Sequence, residues 1–171
     1  MNAVAEKPKI EPKETGSREK EIKTVCFVCT GNTCRSPMAE ALFNDMSRAR
    51  GGKMRASSAG IWPAEGMPIS ENAVKALRGA GIDPLPDNDY LSHTARRIEY
   101  TDMLLCDLIV GISASHAMAL LGAFPEFASK ITSMAEDIPD PFGGDEKVYA
   151  ECLGRIKKSL EVMFFNDDGR F

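Results

Sequence analysis

Thr24-Val25-Cys26-Phe27-Val28-Cys29-Thr30-Gly31-Asn32-Thr33-Cys34-Arg35-Ser36-Pro37-Met38-Ala39-Glu40 is the stretch that decides how this chain folds. Thr24–Val28 is β-branched, aromatic and apolar, and a Gly-containing segment follows it, which predicts a buried strand. Ser36 followed by Pro37 reads as a helix start, with Ser36 as the cap candidate and Pro37 in the first turn. Met38, Leu42 and Met46, with Ala39 and Phe43, then give that helix one apolar face. Between strand and helix lies a loop of eight residues, Cys29 to Ser36.

The same alternation continues outward. Met54–Ser58 is a short second strand. Ser70 caps a helix that carries Val74 and Leu77 and stops at Gly81. Thr94 to Leu105 reads as helical, Leu108–Ile112 as a third strand, Ser115–Gly122 as a helix and Lys130–Ser133 as a fourth strand. Asp145 to Phe164 is a long helix striped by Tyr149, Cys152, Ile156, Leu160 and Met163. Strands alternating with helices predict a three-layer α/β/α fold around a four-stranded parallel sheet. Ligands in such folds bind at the carboxyl ends of strands, and the first strand ends at Cys29.

Composition bounds the rest. The chain has 171 residues, 43% of them hydrophobic, enough for one domain with a core. Its longest unbroken apolar runs, such as Val25–Cys29, fall far short of the roughly 20 residues that span a membrane. No secretory h-region is present. The net charge is −4, which disfavours a general nucleic-acid surface. Five cysteines without an export signal read as reduced thiols in a cytoplasm. Residues 1–23 hold six basic and five acidic side chains and no aromatic residue, so they are expected to form a solvated tail ahead of a domain over 24–171.

Each residue type in the loop has a chemical use. Gly31 and Asn32 tolerate positive φ, so the chain can curl and turn N–H groups inward as an anion nest. The following helix N-terminus adds its dipole. Arg35 offers a planar fork for phosphate oxygens. The same positive surroundings favour the thiolate of Cys29, which beside a bound oxyanion is set up to attack phosphorus. A nucleotide-binding loop is disfavoured because the Gly-Lys-Ser/Thr ending is missing. Cys26 and Cys29 have CxxC spacing, but Cys26 lies inside the strand and His93 and His116 stand apart in sequence, so no metal is expected.

Val28 to Glu40, with Ser58-Ala59-Gly60 after the second strand and Asp140-Pro141-Phe142-Gly143-Gly144 before the last helix, resembles the low-molecular-weight protein tyrosine phosphatases. The resemblance covers roughly Thr24 to Phe165. It implies a cysteine-dependent phosphatase that needs no cofactor and acts on phosphorylated proteins. Cys29 would be the nucleophile, forming a phosphocysteine. Arg35 and the loop residues Thr30, Gly31, Asn32, Thr33, Cys34 and Ser36 would hold the phosphoryl group. Ser36 would also hydrogen-bond the thiolate, unless it serves only as helix cap, and Asn32 would keep the loop's shape. Asp140 would be the general acid and then the base, with Asp137 as a nearby competitor. Cys34 would form a protective disulfide with Cys29 under oxidant, or else simply fill space. Cys106 and Cys152 are read as core.

The resemblance also bears on substrate. Tyrosine-directed members often carry a larger aliphatic residue at the position of Thr33 and a tyrosine where Phe142 stands. The bacterial protein arginine phosphatases share the Cys-Thr-Gly-Asn-Thr-Cys-Arg-Ser string and Asp-Pro-Phe-Gly-Gly. Phosphoarginine is therefore expected, with phosphotyrosine as the alternative. A hydroxyl at Thr33 could approach a polar guanidino group that a bulky alkyl chain would block. Trp62, the single tryptophan, is either a cleft wall or core. Arsenate reductase and a non-enzymatic phosphate-binding module are weaker readings. The first lacks its extra cysteines after the third strand, and the second would have lost the nucleophile, the arginine or the late aspartate. The oligomeric state is left open.

Overall fold

The computed structural model describes residues 21–166. Most of the tail over 1–23 lies outside these residues. Strands β1 (Thr24–Cys29), β2 (Arg55–Gly60), β3 (Leu108–Gly111) and β4 (Ile131–Ser133) pair in parallel in the order β2-β1-β3-β4. Helices α1 (Arg35–Ala49), α2 (Glu71–Gly79), α3 (Tyr100–Leu105), α4 (Ala114–Ala123) and α5 (Glu146–Phe164) cover both faces. The strand period of two shows this directly in β1. Val25, Phe27 and Cys29 join one apolar cluster with residues of α1, α2 and α5. Cys26 and Val28 join the other, with Met103 of α3 and Leu120 of α4. A central parallel strand must be apolar on both faces, which is why Val25 to Cys29 reads as an uninterrupted run. The first cluster is anchored by edge-to-face rings, Phe43 lying 5.6 Å from Phe27 and 5.1 Å from Phe164.

The expected fold class is the one observed, and differences fall at element ends. The segment expected to be helical from Thr94 is extended until Glu99, and only Tyr100–Leu105 is helical. Its backbone continues the sheet edge: Gly60 N–H donates to Arg96 O at 2.8 Å and Ile98 N–H to Gly60 O at 2.9 Å. The helix starts where Glu99 and Asp102 form a reciprocal capping box. Ser36 is not the cap of α1. Cys34 occupies that position without a side-chain cap bond, and Ser36 lies inside the first turn. The second strand runs Arg55–Gly60 rather than from Met54, which carries the sheet as far as the loop it supports.

Candidate active site

The Cys29–Ser36 loop turns at Asn32, which is fully buried and takes a left-handed φ of 55°. Gly31 does not share that conformation: among the described residues Asn32 is the one non-glycine with positive φ. Short polar side chains stabilise such a backbone by local hydrogen bonds, and Asn32 uses every polar atom it has. Its N–H donates to Cys29 Sγ at 3.3 Å, and its Nδ2 donates to Ser36 Oγ and to Ser58 Oγ, both at 3.0 Å. Its Oδ1 accepts from Arg96 N–H at 3.0 Å, and its carbonyl lies 2.8 Å from His93 Nε2. Ser36 Oγ lies 3.0 Å from Cys29 Sγ. The thiol, 3% exposed, thus sits at the floor of the loop with two donors within reach. Gly60 makes this approach possible, since a Cβ there would stand 2.7 Å from Thr30 O.

Arg35, at the start of α1, is buried and points across the loop toward the segment before α5. Its Nη1 donates to Ile138 O at 3.1 Å, and its Nη2 lies 3.4 Å from Asp140 Oδ2. The carboxyl group of Asp140 is over half exposed and also accepts from Phe142 N–H at 3.2 Å, which folds the turn after it. Asp137 faces elsewhere, its Oδ1 accepting from Ala114 N–H at 2.8 Å at the start of α4. Of the two aspartates, the fold places Asp140 beside Arg35.

Cys34 Sγ lies 3.2 Å from Tyr149 Oη and donates to Ser70 Oγ at 3.5 Å, linking the loop to α5 and α2. Burial, then the Cys34 contact, pushes the Tyr149 hydroxyl up to about 12. Thr33 is half-buried beside Cys34, and its carbonyl accepts from Ser70 N–H. Thr30 is exposed, and its Oγ1 lies 3.0 Å from His116 Nε2. The other ring nitrogen, Nδ1, is 2.8 Å from Ser113 Oγ. Burial, reinforced by the Arg35 cation, pulls His116 down to about 4, so the ring is neutral at physiological pH. Trp62 is 71% exposed and Phe142 81% exposed. Trp62 is therefore not core; the Arg97 guanidinium lies 5.4 Å from its ring centre. Cys106 and Cys152 are buried, and all five cysteines are free thiols.

The structure thus brings Cys29, Thr30, Asn32, Thr33, Cys34, Arg35, Ser36 and Asp140 to one end of the sheet. It adds residues the motif did not name: Ser70, His93, Arg96, His116 and Tyr149. His93 and His116 stand alone in the sequence, and only the parallel topology carries them to the loop from two directions. Among the described residues no group of three or more His, Cys, Asp or Glu is placed to hold a metal ion, and no helix is long and apolar enough to cross a membrane.

The family model described as low molecular weight phosphotyrosine protein phosphatase matches residues 24–167. The protein-arginine-phosphatase of Bacillus subtilis is 30% identical over 146 residues, covering 81% of this chain and 93% of its own. The low molecular weight protein-tyrosine-phosphatase of Streptomyces coelicolor is 36% identical over 154 residues, covering 78% and 86%. The solved structure of a YwlE arginine phosphatase mutant with a phosphorylated active site serine superposes with a TM-score of 0.73 at 28% identity, covering 80% of this chain and 90% of that one.

Proposed function

Since the chain belongs to the low molecular weight phosphotyrosine protein phosphatase family and is a protein phosphatase, we propose that residues 24–171 form a cytoplasmic enzyme that hydrolyses phosphoarginine in proteins through Cys29. In the first step the Cys29 thiolate attacks phosphorus while Asp140 gives its proton to the departing guanidino nitrogen. In the second, Asp140 takes a proton from the water that cleaves the phosphocysteine. The Arg35 fork and the amides of Thr30 to Ser36 hold the three phosphoryl oxygens, whose charge also meets the N-terminus of α1. The phosphoryl group takes the place of Asp140 on Arg35, which leaves the carboxyl group at the mouth of the loop beside the leaving group. The phosphorylated serine in the related arginine phosphatase mutant supports covalent catalysis at this position. Cys34, one turn of loop away, would protect Cys29 by a disulfide under oxidant.

The observation that carries the reading is the pairing of buried Arg35 with Asp140 at 3.4 Å across a loop whose floor is Cys29. For the substrate, the carrying residue is Thr33, which leaves a small polar edge beside the cysteine floor. A second reading, phosphotyrosine, is favoured by the exposed rings of Trp62 and Phe142, which could flank an aryl group. The test is kcat/KM of the reduced protein on phosphoarginine and phosphotyrosine peptides of one sequence. A preference for phosphoarginine supports the first reading, and a preference for phosphotyrosine replaces it while leaving the mechanism.

A further inference from the structure

Behind the loop, away from any substrate, Glu40 of α1 faces Ser58 of β2, and Ser58 Oγ donates to Glu40 Oε2 at 2.6 Å. Burial raises the pKa of this carboxyl group, while the Ser58 bond and the nearby His93 and Arg96 oppose the rise. Arg55, Asp87 and Asp89 line the same cleft. The contact is the far end of a continuous chain: Glu40, Ser58, Asn32, Ser36, Cys29.

The direction of each bond from Glu40 to Ser36 follows from the partners at the chain's far end. Arg96 N–H is a backbone donor and requires an acceptor, so Asn32 presents Oδ1 to it. The Asn32 Nδ2 must then donate to Ser36 and Ser58. Ser58 accepts that bond, and its own hydrogen goes to Glu40, an acceptor-only group when ionised. Ser36 likewise accepts from Asn32, so its one hydrogen points away from the amide, toward Cys29 Sγ at 3.0 Å and the more distant Ala59 O at 3.4 Å. Were the Asn32 amide reversed, both hydroxyls could donate to its oxygen, and Cys29 would lose the Ser36 donor. Two features hold the amide: the Arg96 N–H on one side and the Glu40–Ser58 bond on the other.

We infer that Glu40 is a positioning residue for the nucleophile: acting through Ser58 and Asn32, it fixes the hydrogen-bond direction that turns the Ser36 hydroxyl onto the Cys29 sulfur. The inference rests on Cys29 being the nucleophile of the proposed reaction, but its readout needs no substrate.

The sign of the effect separates this from simple electrostatics. Acting only as a charge across space, Glu40 would disfavour a second negative charge at Cys29, and removing it would favour the thiolate. Acting through the chain, its removal takes a donor from the thiolate and disfavours it. The pH dependence of Cys29 alkylation by iodoacetamide, followed on the Cys29 peptide by mass spectrometry, measures this in the full-length protein, with Cys29→Ser as the blank. The half-point should rise by about half a pH unit or more in Glu40→Gln. Ser58→Ala keeps the carboxylate and cuts the chain, and it should give a rise of the same sign. The double variant should match Ser58→Ala alone. A fall or no change in Glu40→Gln, or additive effects in the double variant, would overturn the inference. The proposed reaction fails separately, by turnover in Cys29→Ser.

Discussion

At the floor of the Cys29–Ser36 loop Asn32 is fully buried and all its polar atoms are partnered, whereas at the rim Trp62 is 71% and Phe142 81% exposed. Among the described residues no buried side-chain polar atom lacks a partner, so the floor is a satisfied network in a low-dielectric setting. Such a network resists rearrangement, because each lost bond strands a buried donor or acceptor. The rim has no comparable constraint. Trp62 is steadied chiefly by Arg97, and Asp140 by the half-exposed pair with Arg35. The difference assigns the common chemistry of phosphoryl transfer to the floor, and the choice of leaving group to residues that can vary without unsettling it.

The largest effects should follow from breaking the floor. Cys29→Ser removes the nucleophile and should abolish turnover. Arg35→Ala removes the paired donors of the loop and should lower kcat/KM by about 10²–10³-fold or more. Steady-state assays on either phosphopeptide check both, and near-normal turnover in either variant would remove that residue from the mechanism. Asp140→Asn, between floor and rim, keeps the contact to Arg35 but cannot transfer a proton. It should cost about 10²–10⁴-fold in kcat on a substrate with a poor leaving group. On an aryl phosphate whose leaving group needs no proton, the loss should shrink. An equal loss on both would show that Asp140 acts by charge alone.

Much of the floor was legible because it is local in sequence. The strand pattern before Cys29, the turn-forming residues after it and the apolar face from Met38 onward all lie within one short stretch, and each agrees with the others. The rim and the back wall were less legible because they are assembled by topology. Thr94–Glu99 carries apolar spacing that a helix could use, yet its backbone is recruited to the sheet edge by Gly60, and its Arg96 N–H to Asn32. Ser36 looked like a cap because Ser before Pro usually is one. Here the helix begins two residues earlier, and the hydroxyl is spent on Cys29 and Asn32 instead. Tyr149, read as a stripe residue of α5, does face the core, but its hydroxyl reaches Cys34.

Substitutions at the rim should change preference rather than rate. Thr33→Ile adds apolar bulk beside the floor and should shift the ratio of phosphoarginine to phosphotyrosine kcat/KM toward phosphotyrosine by roughly 10-fold. An unchanged ratio would take Thr33 out of the specificity argument. Trp62→Ala should raise KM on phosphotyrosine peptides within about 5-fold, on the scale of one exposed aromatic contact, and leave kcat in place. A kcat loss there would mean that the rim is mechanically tied to the floor, and the contrast between the two regions would fail.

His116 tests the contrast from the opposite side, as a floor residue whose effect is on stability rather than turnover. It is buried at the start of α4, with Thr30 Oγ1 and Ser113 Oγ on its two nitrogens, Arg35 as the nearby cation, and Asp137 and Asp140 as the nearby acids. Its pKa falls from 6.5 to about 4 in the folded protein, through burial first and Arg35 second. The unfolded chain therefore takes up a proton below pH 6.5 that the folded one refuses until about pH 4. Unfolding binds protons across that window, so stability drops as the pH falls through it and levels off below. His116→Gln keeps a polar group between Thr30 and Ser113 but cannot titrate. Its melting temperature should fall less steeply than the wild type's between pH 6.5 and 4, while the two curves should run parallel at neutral pH. Identical slopes would mean that the ring protonates as readily folded as unfolded. The His116 ring would then be open to water behind Thr30, and the floor would be no better sealed there than the rim.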